Sequence, residues 1–132
     1  MIERFLHVRY RVSNLEKAIY YFVNFLGLQE VGRIVSPRGS KLVFLKAPES
    51  ECLLELCEFP DSGKVIVPPD LTHLAFSVKD LEEARIKCNK MGWPFTDSVQ
   101  RAENGLLFTF IDAPDGYEIE LIQEDQKDNK KE

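Results

Sequence analysis

Apolar and polar side chains alternate over residues 4–12, a period of two that predicts a β-strand with one apolar face. Apolar residues then recur at helical spacing through residues 15–26, which predicts an amphipathic helix that ends at Gly27. Ser13 and Glu16 form a capping-box pattern, so we expect Ser13 to be the N-cap of this helix. Three shorter strands are expected near residues 30–35, 41–46 and 52–58.

The same order of elements returns in the second half of the chain. A strand is predicted over residues 72–78, and Asp80 is placed to cap a helix that Gly92 should end. Asp115 and Gly116 form a tight-turn signal immediately before the last strand. The remaining strands are expected near residues 95–99, 105–111 and 117–123.

An internal repeat explains this recurrence. The segment HVRYRVSNLEKA, which begins at His7, aligns with HLAFSVKDLEEA, which begins at His73. FLKAP and FIDAP align at the same offset, and LLEL aligns with EIEL after a one-residue gap. Each half therefore begins with a histidine and ends with a glutamate in a Glu-Leu pair.

The repeat predicts an α+β fold with two βαβββ modules in a single domain over residues 1–123. The first module is expected at about residues 1–58 and the second at about 71–123, with the proline-rich segment 59–70 as a linker. Residues 124–132 carry charged and polar side chains without an apolar one, so they are predicted to form a flexible tail.

Composition and charge exclude several classes of function. The chain has 132 residues, a formal net charge of -5 and a pI of about 5.1, which argues against a nucleic-acid-binding surface. No apolar run is long enough to cross a bilayer, and charges interrupt the N-terminal segment, so neither a membrane anchor nor a signal peptide is expected. The odd number of cysteines without a close pair favours reduced thiols that fill the core of a cytoplasmic protein. These cysteines are Cys52, Cys57 and Cys88.

Four of the predicted strands place one potential metal ligand on the face opposite their apolar residues. These ligands are His7 in the first strand, Glu55 in the fourth, His73 in the fifth and Glu120 in the eighth. The two histidines are the only ones in the sequence. Two imidazoles and two carboxylates form a mixed nitrogen and oxygen set that suits zinc, nickel, cobalt or iron.

Each of these residues has an ordinary explanation when taken singly, since a lone histidine or glutamate on a strand is usually a solvated polar residue. Duplication explains why the residues occupy equivalent positions, but it does not explain why the retained residues are metal-binding types. The combined pattern therefore favours a metal site. Arg11 shares the strand face of His7. A cation there suits an anionic substrate, and an ordinary surface arginine explains it equally well.

The sequence resembles glyoxalase I, or lactoylglutathione lyase, of the vicinal oxygen chelate superfamily. The resemblance extends from HVRYRVSNLEKAIYYFVNFLGL through LLEL and THLAFSVKDLEEA to DAPDGYEIELIQE. The last of these motifs is widespread in the superfamily and indicates the fold more than the reaction. The His, Glu, His, Glu ligand set is more specific, and by this resemblance it maps onto His7, Glu55, His73 and Glu120.

The resemblance implies a reaction as well as a fold. The substrate would be the hemithioacetal of a 2-oxoaldehyde, typically methylglyoxal, with a thiol such as glutathione, and the product would be a 2-hydroxyacyl thioester. One divalent metal ion per site would act as a Lewis acid. The short chain, without the insertions of the zinc-using form, favours nickel or cobalt, with zinc as the alternative. Glu120 would carry the substrate proton from C1 to C2, with Glu55 as its counterpart. Arg11 would face a carboxylate of the thiol.

Family members usually form homodimers in which paired modules complete each site, and closure of the two modules within a monomer is the alternative. Phe59 stands where glutathione-using relatives commonly have an asparagine, which brings other thiols or substrates into consideration. Two further functions are therefore open. One is a different metal enzyme of the same fold, such as an epimerase or a thiol transferase, and the other is a non-catalytic small-molecule-binding protein, which would need no metal.

Overall fold

The structure is a computed structural model that describes residues 1–124. The chain divides into two compact units, Met1–Ile66 and Val67–Glu132, and the boundary falls inside the predicted linker 59–70. The predicted tail lies outside the described residues, apart from Glu124, which is exposed. In the part of the chain that is described, no helix is long and apolar enough to cross a membrane.

The first unit contains a four-stranded mixed sheet with strand order β1-β4-β3-β2. Strands β1 and β4 are parallel, whereas the β4–β3 and β3–β2 pairs are antiparallel. Helix α1 packs against β4, so the apolar face of this strand is buried beneath it. In chain order the elements are β1 (His7–Arg11), α1 (Leu15–Ile19) followed by a π-helical segment (Tyr20–Phe25), β2 (Gln29–Val35), β3 (Lys41–Lys46), β4 (Leu53–Glu58) and a 3-10 turn (Pro60–Ser62).

The second unit repeats this plan, with strand order β5-β8-β7-β6 and a parallel β5–β8 pair. Helix α2 packs against β8, as α1 does against β4 in the first unit. The predicted α+β class with two βαβββ modules is therefore confirmed. The elements are β5 (His73–Val78), α2 (Leu81–Met91), β6 (Gln100–Arg101), β7 (Leu107–Asp112), a 3-10 turn (Pro114–Gly116) and β8 (Glu118–Gln123).

The start of α1 differs from the prediction. Asn14, and not Ser13, is the N-cap residue, and its side-chain oxygen accepts a hydrogen bond from the Lys17 backbone N–H at 3.0 Å. The Ser13 hydroxyl instead accepts a hydrogen bond from the Val65 N–H at 2.8 Å. Ser13 therefore attaches the segment after β4 to the helix start, a long-range contact that a local capping motif does not reveal.

The predicted α-helix over residues 15–26 changes to a π-helix after Ile19. A π-helix has more residues per turn than an α-helix, so the side chains that follow are rotated relative to the predicted stripe. As a result Phe25 is buried and Leu26 is only partly buried. Gly27 follows the helix with a φ of 87°, in agreement with the predicted stop.

One strand was predicted in the wrong place. Residues 95–99 form a loop with a single bridge from Phe95 to Ile111, and the short strand β6 lies at Gln100–Arg101. The regular ladder with β7 begins only at Gln100, which pairs with Phe108. Individual hydrogen bonds to β7 hold the loop instead, including one from the Thr109 hydroxyl to the Asp97 carbonyl at 2.8 Å.

The turn before β8 is as predicted and requires its glycine. Asp115 and Gly116 both adopt positive φ, 69° and 90°. A Cβ atom at Gly116 would lie 2.6 Å from the Val67 carbonyl oxygen, so this position tolerates no side chain without movement of the backbone. The turn fixes the start of β8 and thereby the register that places Glu120.

Candidate metal centre

The first unit brings His7 and Glu55 together across the parallel β1–β4 pair. The His7 Nε2 atom lies 3.7 Å from Oε2 of Glu55. The Glu55 side chain is 4% exposed and that of His7 is 44% exposed. A carboxylate is thus held in an almost fully buried position, with an imidazole at the rim.

The second unit forms the equivalent pair across β5 and β8. The His73 Nε2 atom lies 3.2 Å from Oε1 of Glu120, and the two side chains are 45% and 18% exposed. The repeat seen in the sequence is therefore also a repeat of side-chain geometry, in which each unit presents one imidazole nitrogen and one carboxylate oxygen side by side.

An aromatic ring lies next to each pair and was not identified from the sequence as part of the site. Phe44 contacts the His7 ring edge-on with centroids 5.9 Å apart, and Phe110 contacts the His73 ring in the same way at 5.3 Å. In the sheet register Phe44 is opposite Glu55, and Phe110 is opposite Glu120. The alignment of FLKAP with FIDAP carried this signal, because it places the two rings at equivalent positions beside the ligand-bearing strands.

Arg9 is a second site residue whose role the sequence did not reveal. It lies two residues after His7 on the same face of β1, and its Nε donates a charge-assisted hydrogen bond to Oε1 of Glu55. That hydrogen bond is the main reason why the pKa of Arg9 is raised above its usual value, so the guanidinium stays charged. One Glu55 oxygen is therefore held by Arg9 and the other is directed towards His7.

Arg11 is the last residue of β1, and Phe59 follows directly after β4. The Arg11 Nη2 donates to the Gly63 carbonyl at 3.1 Å, which attaches the segment after β4 to β1. The guanidinium of Arg38 lies over the Phe59 ring at 5.8 Å from its centroid. The position expected to carry an asparagine amide thus presents an aromatic ring covered by a cation.

The structure brings the four predicted ligands together as two pairs and not as one cluster. Within residues 1–124 there is no group of three or more His, Cys, Asp or Glu side chains placed to hold a metal ion. His7 is grouped with Glu55, and His73 is grouped with Glu120. A site with four protein ligands therefore stays a prediction.

Comparisons with known proteins agree with this fold. The chain is 30% identical over 130 residues to lactoylglutathione lyase of Neisseria meningitidis serogroup A, covering 96% of this chain and 94% of that protein. Lactoylglutathione lyase of Escherichia coli O157:H7 is also 30% identical, over 125 residues that cover 92% of this chain and 93% of that protein. The trypanothione-dependent glyoxalase I of Leishmania major has a similar structure, with a TM-score of 0.78 at 28% identity, covering 98% of this chain and 93% of that one. The family profile of the Glyoxalase/Bleomycin resistance protein/Dioxygenase superfamily matches residues 4–121, and the chain belongs to that superfamily.

Proposed function

We propose that this protein is a metal-dependent lyase of the glyoxalase I type. It would isomerise the hemithioacetal of a 2-oxoaldehyde such as methylglyoxal and a thiol to the 2-hydroxyacyl thioester. The observation that carries the proposal is the pair of equivalent His–Glu contacts, His7 with Glu55 and His73 with Glu120. The relatives named lactoylglutathione lyase support the same reaction.

The donor atoms of each pair fit a shared metal ion. Two ligand atoms bound to one ion at about 2.1 Å, at angles of about 90–109°, lie about 3.0–3.4 Å apart. The observed nitrogen–oxygen separation is 3.2 Å for His73 and Glu120 and 3.7 Å for His7 and Glu55, so small side-chain rotations suffice. We propose that the four side chains hold one divalent ion per site, with nickel or cobalt favoured and zinc an alternative.

A bound divalent ion would supply Lewis-acid polarisation of the two adjacent substrate oxygens, which acidifies the C1–H bond. The chain itself supplies the base that this proton needs. Glu120 is the more accessible carboxylate, because its side chain is 18% exposed, whereas that of Glu55 is 4% exposed. Glu120 would take the proton from C1 and return it to C2, so that the reaction involves no net oxidation.

Other residues near the two His–Glu pairs would bind and orient the substrate. Phe44 and Phe110 provide apolar walls beside the two histidines, which limits the access of water to the reacting carbons. Arg11 would stabilise an anionic group of the thiol, although its contact with Gly63 already uses part of its donor set. Phe59, covered by Arg38, replaces the amide expected for glutathione, so a different thiol is the first alternative to test.

The test is turnover of methylglyoxal plus glutathione by apo-protein reconstituted separately with nickel and with zinc. We expect activity only with metal, and a loss of about 10²–10⁴-fold in kcat for Glu120→Gln, the range that general acid–base catalysis contributes. Glu118→Gln is the matched control, because Glu118 lies on the same strand and its carboxylate accepts a hydrogen bond from the Asp70 N–H, a role that an amide oxygen can keep. Full activity of Glu120→Gln would refute the assignment.

Two further expectations belong to this proposal. We expect a homodimer, the usual oligomeric state in the family, and light scattering after size-exclusion chromatography distinguishes it from a monomer. A cytoplasmic location would fit the reaction and the thiol content of the chain. A protein that binds metal tightly but turns over neither glutathione nor other thiol adducts would instead favour another metal enzyme of this fold, such as an epimerase.

A further inference from the structure

The two glutamates occupy equivalent register positions, but the residues opposite them differ. In the β1–β4 pair, Arg9 is the partner of Glu55, and in the β5–β8 pair, Ala75 is the partner of Glu120. The repeat is therefore broken opposite the two ligand glutamates. A guanidinium is present in the first unit and a methyl group in the second.

This difference changes what each carboxylate can do. Oε1 of Glu55 accepts a hydrogen bond from Arg9, and its Oε2 lies 3.7 Å from Nε2 of His7. Among residues 1–124, the side chain of Glu120 forms its ion pair with His73, through Oε1. Glu55 is therefore restrained by a guanidinium, whereas Glu120 has no such restraint among the described residues.

We propose that Arg9 is a positioning residue that makes Glu55 a permanent one-oxygen metal ligand and leaves proton transfer to Glu120. This assignment rests on the proposed function and adds a residue to it. A planar guanidinium donates along a fixed direction and stays charged, so it holds a carboxylate more firmly than a neutral donor does. A carboxylate that carries a proton between two carbons must move, and a carboxylate that is held on both oxygens cannot.

The exposure of the Arg9 side chain indicates whether this residue strengthens or weakens metal binding. A cation beside the site repels a divalent ion, but the Arg9 side chain is 49% exposed and water screens much of that repulsion. Orientation of the ligand is the larger effect, since loss of a residue that holds a metal ligand typically weakens metal affinity by about 10–100-fold. We therefore expect Arg9 to strengthen metal binding.

The first test measures nickel affinity of the apo-protein by calorimetry, independently of turnover. Arg9→Met should weaken binding by about 10–100-fold, and Arg9→Lys, which keeps the charge without the planar donor, should lie between Arg9→Met and the natural protein. Arg33→Met, which removes an exposed arginine on β2, should stay within about twofold. The visible absorption spectrum of the cobalt-loaded protein should also change in Arg9→Met, because released Glu55 alters the coordination geometry.

The second test introduces the missing guanidinium into the second unit. Ala75 is exposed, so Ala75→Arg should fold, and it places a donor opposite Glu120. We expect at least about a tenfold fall in kcat without any weakening of nickel binding, because Glu120 remains a ligand but loses its freedom to move. An unchanged kcat in this variant would overturn the assignment.

The outcomes also separate this inference from the proposed function. If the natural protein binds nickel and turns over substrate while Arg9→Met keeps its nickel affinity and cobalt spectrum, the role of Arg9 is wrong and the lyase assignment stands. If the natural protein binds no metal, both fail together. Thermal melts of the apo-proteins exclude global unfolding as the cause, and Arg9→Lys serves if Arg9→Met does not fold.

Discussion

The contact between Arg9 and Glu55 can be tested without metal, through its contribution to stability. Exposed ion pairs contribute about 0–1 kcal/mol, whereas removing one partner of a fully buried pair costs about 3–5 kcal/mol. Here the carboxylate is 4% exposed and the guanidinium 49% exposed, so the pair lies between these limits. We expect Arg9→Met to lower the free energy of unfolding of the apo-protein by about 1–3 kcal/mol.

Glu55→Gln should lower the free energy of unfolding less than Arg9→Met does. It leaves a half-exposed cation that water can solvate and an amide oxygen that can still accept a hydrogen bond. The double variant should therefore be less destabilised than the sum of the two single variants. We expect a coupling energy of about 1–2 kcal/mol. For a chain of this length, a loss of 1 kcal/mol corresponds to a fall of roughly 4 °C in Tm.

The assay is urea denaturation of all four proteins in the presence of a chelator, followed by circular dichroism. Arg33→Met provides the surface control, since Arg33 forms exposed ion pairs with Glu30 and Glu16, and it should produce no measurable loss. A coupling energy below about 0.5 kcal/mol would refute the view that Arg9 holds Glu55 in place.

Three other predictions concern the fold around the site. Cys52 is exposed, whereas the other two thiols are buried, and burial raises the pKa of the Cys88 thiol. A thiol reagent near neutral pH should therefore modify Cys52 first, and a mass spectrum should show one early adduct. Gly116→Ala should lower the free energy of unfolding by more than about 2 kcal/mol in denaturant melts, because the added Cβ meets the Val67 carbonyl. Gly105 has a similar φ but open space around its Cβ, so Gly105→Ala should lower this free energy by only about 1–2 kcal/mol. Asn14→Ala should cost about 1 kcal/mol of unfolding free energy through loss of the N-cap, and no loss would contradict the cap assignment.

Much of the fold could be predicted because its signals are local or repeated. Strand alternation placed seven of the eight strands within about three residues of their observed ends. Because a side chain alternates between faces with every residue, the same pattern also placed His7 and Glu55 on one face of the first sheet, and His73 and Glu120 on one face of the second. The structure adds the parallel pairing that brings each histidine next to its glutamate.

The errors arose where long-range contacts decide between local options. Ser13 and Asn14 are both good N-cap residues, and the contact of Ser13 with Val65 leaves Asn14 as the cap. The repeat contained the better clue, since Asn14 aligns with Asp80, which is the N-cap residue of α2. The role of Arg9 could not be read from the sequence, because it depends on the register between two strands that are distant in the chain.

The most direct test of the proposed site is a nickel titration of the apo-protein beside His7→Gln and His73→Gln. We predict that the natural protein binds one ion per chain and that each single substitution weakens binding of that same ion by at least about tenfold, because residues of both units contribute to one site. Two ions per chain in the natural protein, with each substitution removing only one of them, would contradict the four-ligand site and show that each His–Glu pair binds metal on its own.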